Sequence, residues 1–164
     1  MSMRTLLLSA AAALALLASS CRGTSSYQSL PMPPQDVAVS RPDLARIYVM
    51  REGQARGRVR AVRVEDGDRE IGALDQDEYL CWERAPGRTL LSFFYEGARI
   101  DGGDLEGIYS LDAAPGGVYY LTVHIDRLAD APELRARSGH PDIELLEASA
   151  GREAVRTRSA VPVR

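Results

Sequence analysis

Between Ala45 and Leu146 the chain breaks into short runs of β-branched, aromatic and leucine residues, each closed by glycine, proline or aspartate. That rhythm limits the fold more than any other feature. Ala45-Arg-Ile-Tyr-Val-Met50 is a β-rich run bounded by Pro42 and Gly53. Val59–Val64 places Val62 and Val64 on one face and Ala61 and Arg63 on the other. Asp66-Gly67 is a turn signal, and Glu70–Leu74 after it completes a hairpin. Glu78–Glu83 and Thr89–Tyr95 flank Ala85-Pro86-Gly87-Arg88, whose glycine can take positive φ; they are expected to pair as a second hairpin at the heart of the core.

Ile100–Gly107 reads as a Gly/Asp-rich loop, Ile108–Leu111 as a strand, Pro115-Gly116-Gly117 as a turn and Val118–Ile125 as the strongest β run of the chain. Arg127–Pro141 is a polar surface connection with one helical turn at Pro132–Arg135. Ile143–Leu146 is a last strand, and Glu147–Arg156, with alanines and alternating charges, suits a short helix. Seven or eight short strands with regular turns predict an all-β fold, an antiparallel β-sandwich over residues 44–156 with a short C-terminal helix. Residues 157–164 are expected to fray.

The N-terminus carries an address. Arg4 gives a positive n-region, Leu6–Leu17 is an apolar and small-residue run, and Ala18-Ser19-Ser20 offers the small side chains a peptidase accepts, so residues 1–20 read as a cleaved secretory leader. The run falls short of the roughly 20 residues of a comfortable membrane span, and polar Arg22-Gly-Thr-Ser-Ser follows it. Leu17-Ala-Ser-Ser-Cys21 resembles a bacterial lipoprotein signal, with Ala18 where leucine is usual. The resemblance implies lipidation of Cys21 and cleavage before it, and several acyl chains on one residue anchor a protein stably. The alternative is an ordinary leader cut near Ser20 that leaves Cys21 a free thiol. Arg22, where aspartate would favour retention at the inner membrane, leans the resemblance towards the outer membrane, facing the periplasm. Residues 21–43, with Ser25, Ser26, Ser29, Pro31, Pro33, Pro34 and Pro42, read as a flexible tether.

All 20 basic residues are arginine, and the formal charge of −3 becomes −4 once Arg4 leaves with the leader. This balance suggests neither a nucleic-acid partner nor a basic membrane-adhering patch. With Cys21 lipidated, Cys81 has no intrachain partner; it lies in the apolar run Tyr79-Leu-Cys-Trp82, where a thiol behaves as a small hydrophobe.

Ala45-Arg-Ile-Tyr-Val, Ile71-Gly-Ala-Leu74, Glu78-Tyr79, Pro86-Gly87-Arg88-Thr-Leu90, Gly117-Val-Tyr-Tyr-Leu121 and Ile143-Glu-Leu-Leu-Glu147 together resemble a domain-of-unknown-function family of small bacterial lipoproteins. Their core also looks like the PEGA-type, Ig-like β-sandwich modules of bacterial surfaces. The resemblance runs from Ala45 to about Val155 and implies fold rather than chemistry. Arg88 departs from the family's histidine after Pro-Gly, and Asp77-Glu78 stands where glycine often precedes the tyrosine.

Catalytic groups are scarce. His124 ends a strand and His140 precedes Pro141 in a loop, without metal-ligand spacing; G-x-S-x-G, a P-loop and a local cysteine–histidine signature are absent from the sequence. Asp101, Asp104 and Glu106 put three carboxylates in one predicted loop, a weak calcium candidate that lacks the terminal bidentate glutamate pattern. Asp75, Asp77 and Glu78 read as turn carboxylates. Tyr95, Tyr109, Tyr119 and Tyr120 are candidates for a binding strip, because tyrosines that alternate along strands cannot all face inward. The expectation is a non-enzymatic, lipid-anchored envelope module without cofactor, binding an envelope protein or glycan through a sheet face or edge strand. The alternative is a calcium-dependent, or small-molecule or glycan-binding, envelope protein or enzyme.

Overall fold

A computed structural model describes residues 27–28, 41–53, 59–100, 103–125 and 143–164, with backbone alone for 27–28, 98–100 and 103–105. Among these residues lie ten strands and one helix: β1 (Tyr27–Gln28), β2 (Ala45–Glu52), β3 (Val62–Asp66), β4 (Arg69–Leu74), β5 (Glu78–Arg84), β6 (Gly87–Ile100), β7 (Gly103–Ala113), β8 (Val118–His124), β9 (Ile143–Leu146), α1 (Ala148–Arg156) and β10 (Ser159–Ala160). They build two sheets. The larger runs β1-β5-β2-β8-β9 with β10 also on β5, and the smaller runs β4-β3-β6-β7.

The sheets stack through alternate residues. Ile47, Val49, Leu80, Trp82, Leu121 and Val123 of the larger sheet meet Val62, Val64, Leu91, Phe93, Tyr95 and Leu111 of the smaller, all nearly or completely buried. Each such side chain contributes about 1.5–3 kcal/mol by leaving water. The larger sheet is buried on its other face too, where Tyr48, Met50, Tyr79, Cys81 and Tyr120 form a second cluster with Val155 of α1. Tyr48 and Tyr120 stack there with ring centroids 4.8 Å apart. Gly151 lets α1 approach, since a Cβ there would lie 2.2 Å from the Tyr120 ring. The molecule is a two-sheet sandwich with a helix as a partial third layer.

Several expectations are corrected. The sandwich is not wholly antiparallel, because β2 and β8 pair in parallel, Ile47 beside Tyr119 and Val49 beside Leu121. All of the smaller sheet intervenes between those two strands, a connection long enough to return the chain in the same direction. β5 and β6 are not a hairpin: β5 pairs with β2 and β6 with β3 and β7, so Ala85-Pro86 turns a corner between sheets. Gly87 takes φ +122° at that corner. The Asp66 carboxylate fastens it, accepting from Trp82 Nε1 (2.9 Å) and from Arg84 on one sheet and from Thr89 on the other.

The expected 100–107 loop is largely strand, for β6 and β7 continue as a hairpin to Ile100↔Gly103 past a register shift at Tyr95, near Gly97 with its φ of +88°. Nor does the tail fray. Ser159–Ala160 pairs with Glu78–Tyr79, the Val161 N–H donates to the Tyr79 carbonyl, and the Arg164 N–H donates to the Ile71 carbonyl. Val161 and Val163 close the main core from that side, which is what alternating valines in an extended tail can do. Within the expected tether, Tyr27–Gln28 pairs with Glu83–Arg84. Cys21 and the leader lie outside the described residues, and among the described residues no helix is long and apolar enough to cross a membrane.

Candidate functional site

Two outer faces compete for a functional role. The outer face of the larger sheet holds the most unusual chemistry, yet it is internal. Arg46 on β2 and Glu83 on β5 are register partners and form a buried ion pair at 2.7 Å, doubly bonded through Arg46 Nε at 3.0 Å. Burial opposes the guanidinium charge, and the hydrogen bonds to Glu83 together with the facing Tyr48 outweigh it, so the Arg46 pKa is raised. Burial pushes the Cys81 thiol up to about 12, which leaves it a protonated small hydrophobe rather than a nucleophile. Burial also raises the Tyr48 hydroxyl, which lies beside Cys81 and Arg46 without a well-aligned hydrogen bond to either.

Buried arginine appears again on the inner side. The Arg51 guanidinium donates to the carbonyls of Arg60 (2.7 Å), Leu74 (3.2 Å) and Val59 (3.3 Å), closing one end of the core. Its pKa is lowered by that burial, and the nearest carboxylates, Asp75, Glu78 and Asp77, act only through space.

The outer face of the smaller sheet is open. Arg88, Leu90, Ser92 and Phe94 project from β6, and Glu106, Ile108, Ser110 and Asp112 from β7. Register sets Leu90 opposite Ser110 and Ser92 opposite Ile108, so Leu90 and Ile108 are diagonal neighbours, each 52 % exposed. Arg88 Nε donates to Ser110 Oγ at 3.1 Å. Arg63 lies over the Phe94 ring, 4.1 Å from its centroid, and pairs with Glu65. A shallow cleft of about 260 Å³ opens beside them, lined by Arg63, Phe94, Tyr95, Glu96 and Gly97. It is smaller and wetter than the pockets that hold small molecules.

The tyrosine strip does not exist as expected. Tyr95 is in the main core and Tyr120 under α1, 1 % and 2 % exposed. Tyr109 and Tyr119 are half-buried against the core, and the Tyr119 hydroxyl accepts from the Ala114 N–H at 2.7 Å. Glu106 is exposed on β7; Asp104 lies on the same strand with only its backbone described, and Asp101 lies outside the described residues. Glu78 is a turn carboxylate, accepting from the Asp75 N–H at 2.7 Å.

Register also brings Glu52 and Glu144 to His124, at 3.6 Å from Nδ1 and 3.2 Å from Nε2. The two carboxylates sit at opposite ring nitrogens and do not converge on one ion, and among the described residues no group of three His, Cys, Asp or Glu is placed to hold a metal. His140 lies outside the described residues.

Leu90 and Ile108 are not among the residues that the sequence analysis singles out, although the strand pattern carries a signal for Leu90. Leu90-Leu91-Ser92-Phe93-Phe94-Tyr95 has apolar groups at both parities, so once Leu91, Phe93 and Tyr95 are inward, Leu90 and Phe94 must be outward. Comparison with family models, with curated proteins and with solved structures finds no match to this chain.

Proposed function

We propose that this chain is a lipid-anchored protein of the bacterial cell envelope, held at the outer membrane through Cys21, whose sandwich binds another envelope component through the open β6–β7 face. The observation that carries the binding role is the adjacency of Leu90 and Ile108, two large apolar side chains half in water on a face ringed by charge. A monomer gains nothing from that exposure, and clustered exposed apolar groups mark interaction sites. The anchor rests on the leader and on Ser19-Ser20-Cys21. A PEGA-like type of sandwich and membership of the small-lipoprotein family belong to the same reading, supported by the strand and turn signatures.

Two measurements test it. Wild type is expected in the membrane fraction and Cys21→Ala in the soluble periplasmic fraction; a membrane-bound Cys21→Ala overturns the anchor. Because the sequence has no lysine, amine-reactive crosslinkers find no side chain to attack. A photoreactive residue at Ser92 should therefore be used in cells. It is expected to give one dominant adduct that Leu90→Asp abolishes, and an adduct pattern indifferent to Leu90→Asp overturns the binding face.

A further inference from the structure

Building on that proposed binding face, we infer that the partner is presented as an extended segment that adds a strand to β7, with basic residues at its two ends on the outward side. β7 is the last strand of its sheet among the described residues and is long, from Gly103 to Ala113, against a usual strand of roughly five or six residues. A long terminal strand presents unpaired backbone donors and acceptors, the template on which extended peptides add.

The side chains select which segment can do so. Along the outward side of β7 the row reads Glu106, Ile108, Ser110, Asp112, all exposed. A second copy of this chain is a poor occupant. The antiparallel self-pairing that overlaps the whole row is centred on Tyr109 and sets Glu106 opposite Asp112 twice, and parallel self-pairing sets each acid opposite itself. Like charges directly opposite are destabilising, so the acids act against self-association. The same acids favour a foreign strand that places arginine or lysine opposite Glu106 and Asp112 and an apolar residue opposite Ile108, where Leu90 on β6 extends the apolar contact.

The inward side agrees. Half-buried Tyr109 and, from the facing edge strand, Leu145 at 45 % exposure are apolar groups that alternate residues of an added strand would cover. The pattern required is basic, apolar, polar, apolar, apolar, polar or apolar, basic, read antiparallel to β7 from Asp112 to Glu106.

The test uses the full-length lipidated chain in detergent and two labelled peptides, Arg-Val-Ser-Val-Val-Thr-Arg and the same sequence with glutamate at both ends, read by fluorescence anisotropy. Wild type is expected to prefer the basic peptide by roughly tenfold, from two cross-strand charge pairs turned from attractive to repulsive, and Glu106→Arg/Asp112→Arg is expected to reverse the preference. Both substituted positions are exposed, and Asp112→Arg adds a like charge opposite Arg88 on β6, so the variant's melting temperature is expected to fall only slightly below wild type. Equal affinities across the four combinations, or binding in none, overturn the strand-addition inference. If that happens while the Ser92 adduct still depends on Leu90, the binding face stands and only its mode is wrong; if the adduct pattern is also indifferent to Leu90→Asp, both fall.

Discussion

The two outer faces of this sandwich solve opposite problems. On the larger sheet the outward row of β2 is Arg46, Tyr48 and Met50, all at 1 % exposure or less, and the strand is buried from Ala45 to Arg51. On the smaller sheet β3 alternates strictly between buried and half-buried. A strand buried on both faces has no water to satisfy its polar groups, and Arg46 meets this through Glu83 while the Tyr48 hydroxyl beside it is left without a partner in hydrogen-bond geometry. A strand with one wet face can leave that work to water, and it is on that face that Leu90 and Ile108 stand exposed. The lesson is that the chemically richest cluster of this molecule is scaffold, whereas the plainer open face is where a partner can reach.

If that contrast is right, the covered face should answer to small changes and the open face should not. The largest effect is expected from Glu83→Ala, which takes the carboxylate partner from a buried guanidinium, that of Arg46, and should cost about 3–5 kcal/mol in urea unfolding. Arg63→Ala, which breaks a partly exposed pair on the open face, should cost no more than about 1 kcal/mol. Comparable losses from the two would erase the distinction.

Alkali should also act through the covered face. Cys81, Tyr48 and Tyr79 all have pKa values raised by burial, Cys81 from 9.0 to about 12. Above pH 9 the unfolded chain gives up protons that the folded chain keeps, so it binds fewer, and stability falls as pH rises. The contribution is whole below the unfolded values and disappears towards the folded ones, at about 1.4 kcal/mol per pH unit for each group fully ionised only when unfolded. Cys81→Ala should flatten the stability profile between pH 9 and pH 12, and an unchanged slope would show the thiol is not buried as described.

A smaller effect of unusual sign is expected at Gly151. Alanine in place of glycine inside a helix ordinarily stabilises by about 1 kcal/mol. Here the added Cβ meets the Tyr120 ring, so Gly151→Ala should instead destabilise, by about 1–3 kcal/mol, by lifting α1 from the sheet. A gain in melting temperature would mean α1 does not cover that face. Smallest of all, Ile108→Asp should change stability by no more than about 0.5 kcal/mol while removing the partner adduct.

Much of the fold could be read from local pattern. The Asp66-Gly67 turn does make a hairpin of β3 and β4, the continuous run of β2 marks a doubly buried strand, and the alanines after Glu147 form the helix. What could not be read depends on which strands are neighbours. Leu80 and Trp82 alternate with the same period as Leu91, Phe93 and Tyr95 whether the strands lie side by side or face to face, so pattern alone could not separate a β5–β6 hairpin from a corner between sheets. The same holds for the polar pairs. Arg46 and Glu83 stand 37 residues apart, and only the β2–β5 register brings them together, as only the β2–β8 register brings Glu52 beside His124. Tyrosine chemistry suits a binding strip, but Tyr95 and Tyr120 fall on inward or helix-covered parities, and the groups exposed on the open face are the plain Leu90 and Ile108.

The most direct test places a photoreactive residue at one of two exposed positions in the full-length protein in cells, Ile108 on the open face or Ser149 on the outside of α1, and compares their adducts. A dominant envelope adduct from Ile108 and none from Ser149 is the predicted result. An adduct from Ser149 with none from Ile108 would place the partner on the helix side and contradict the account.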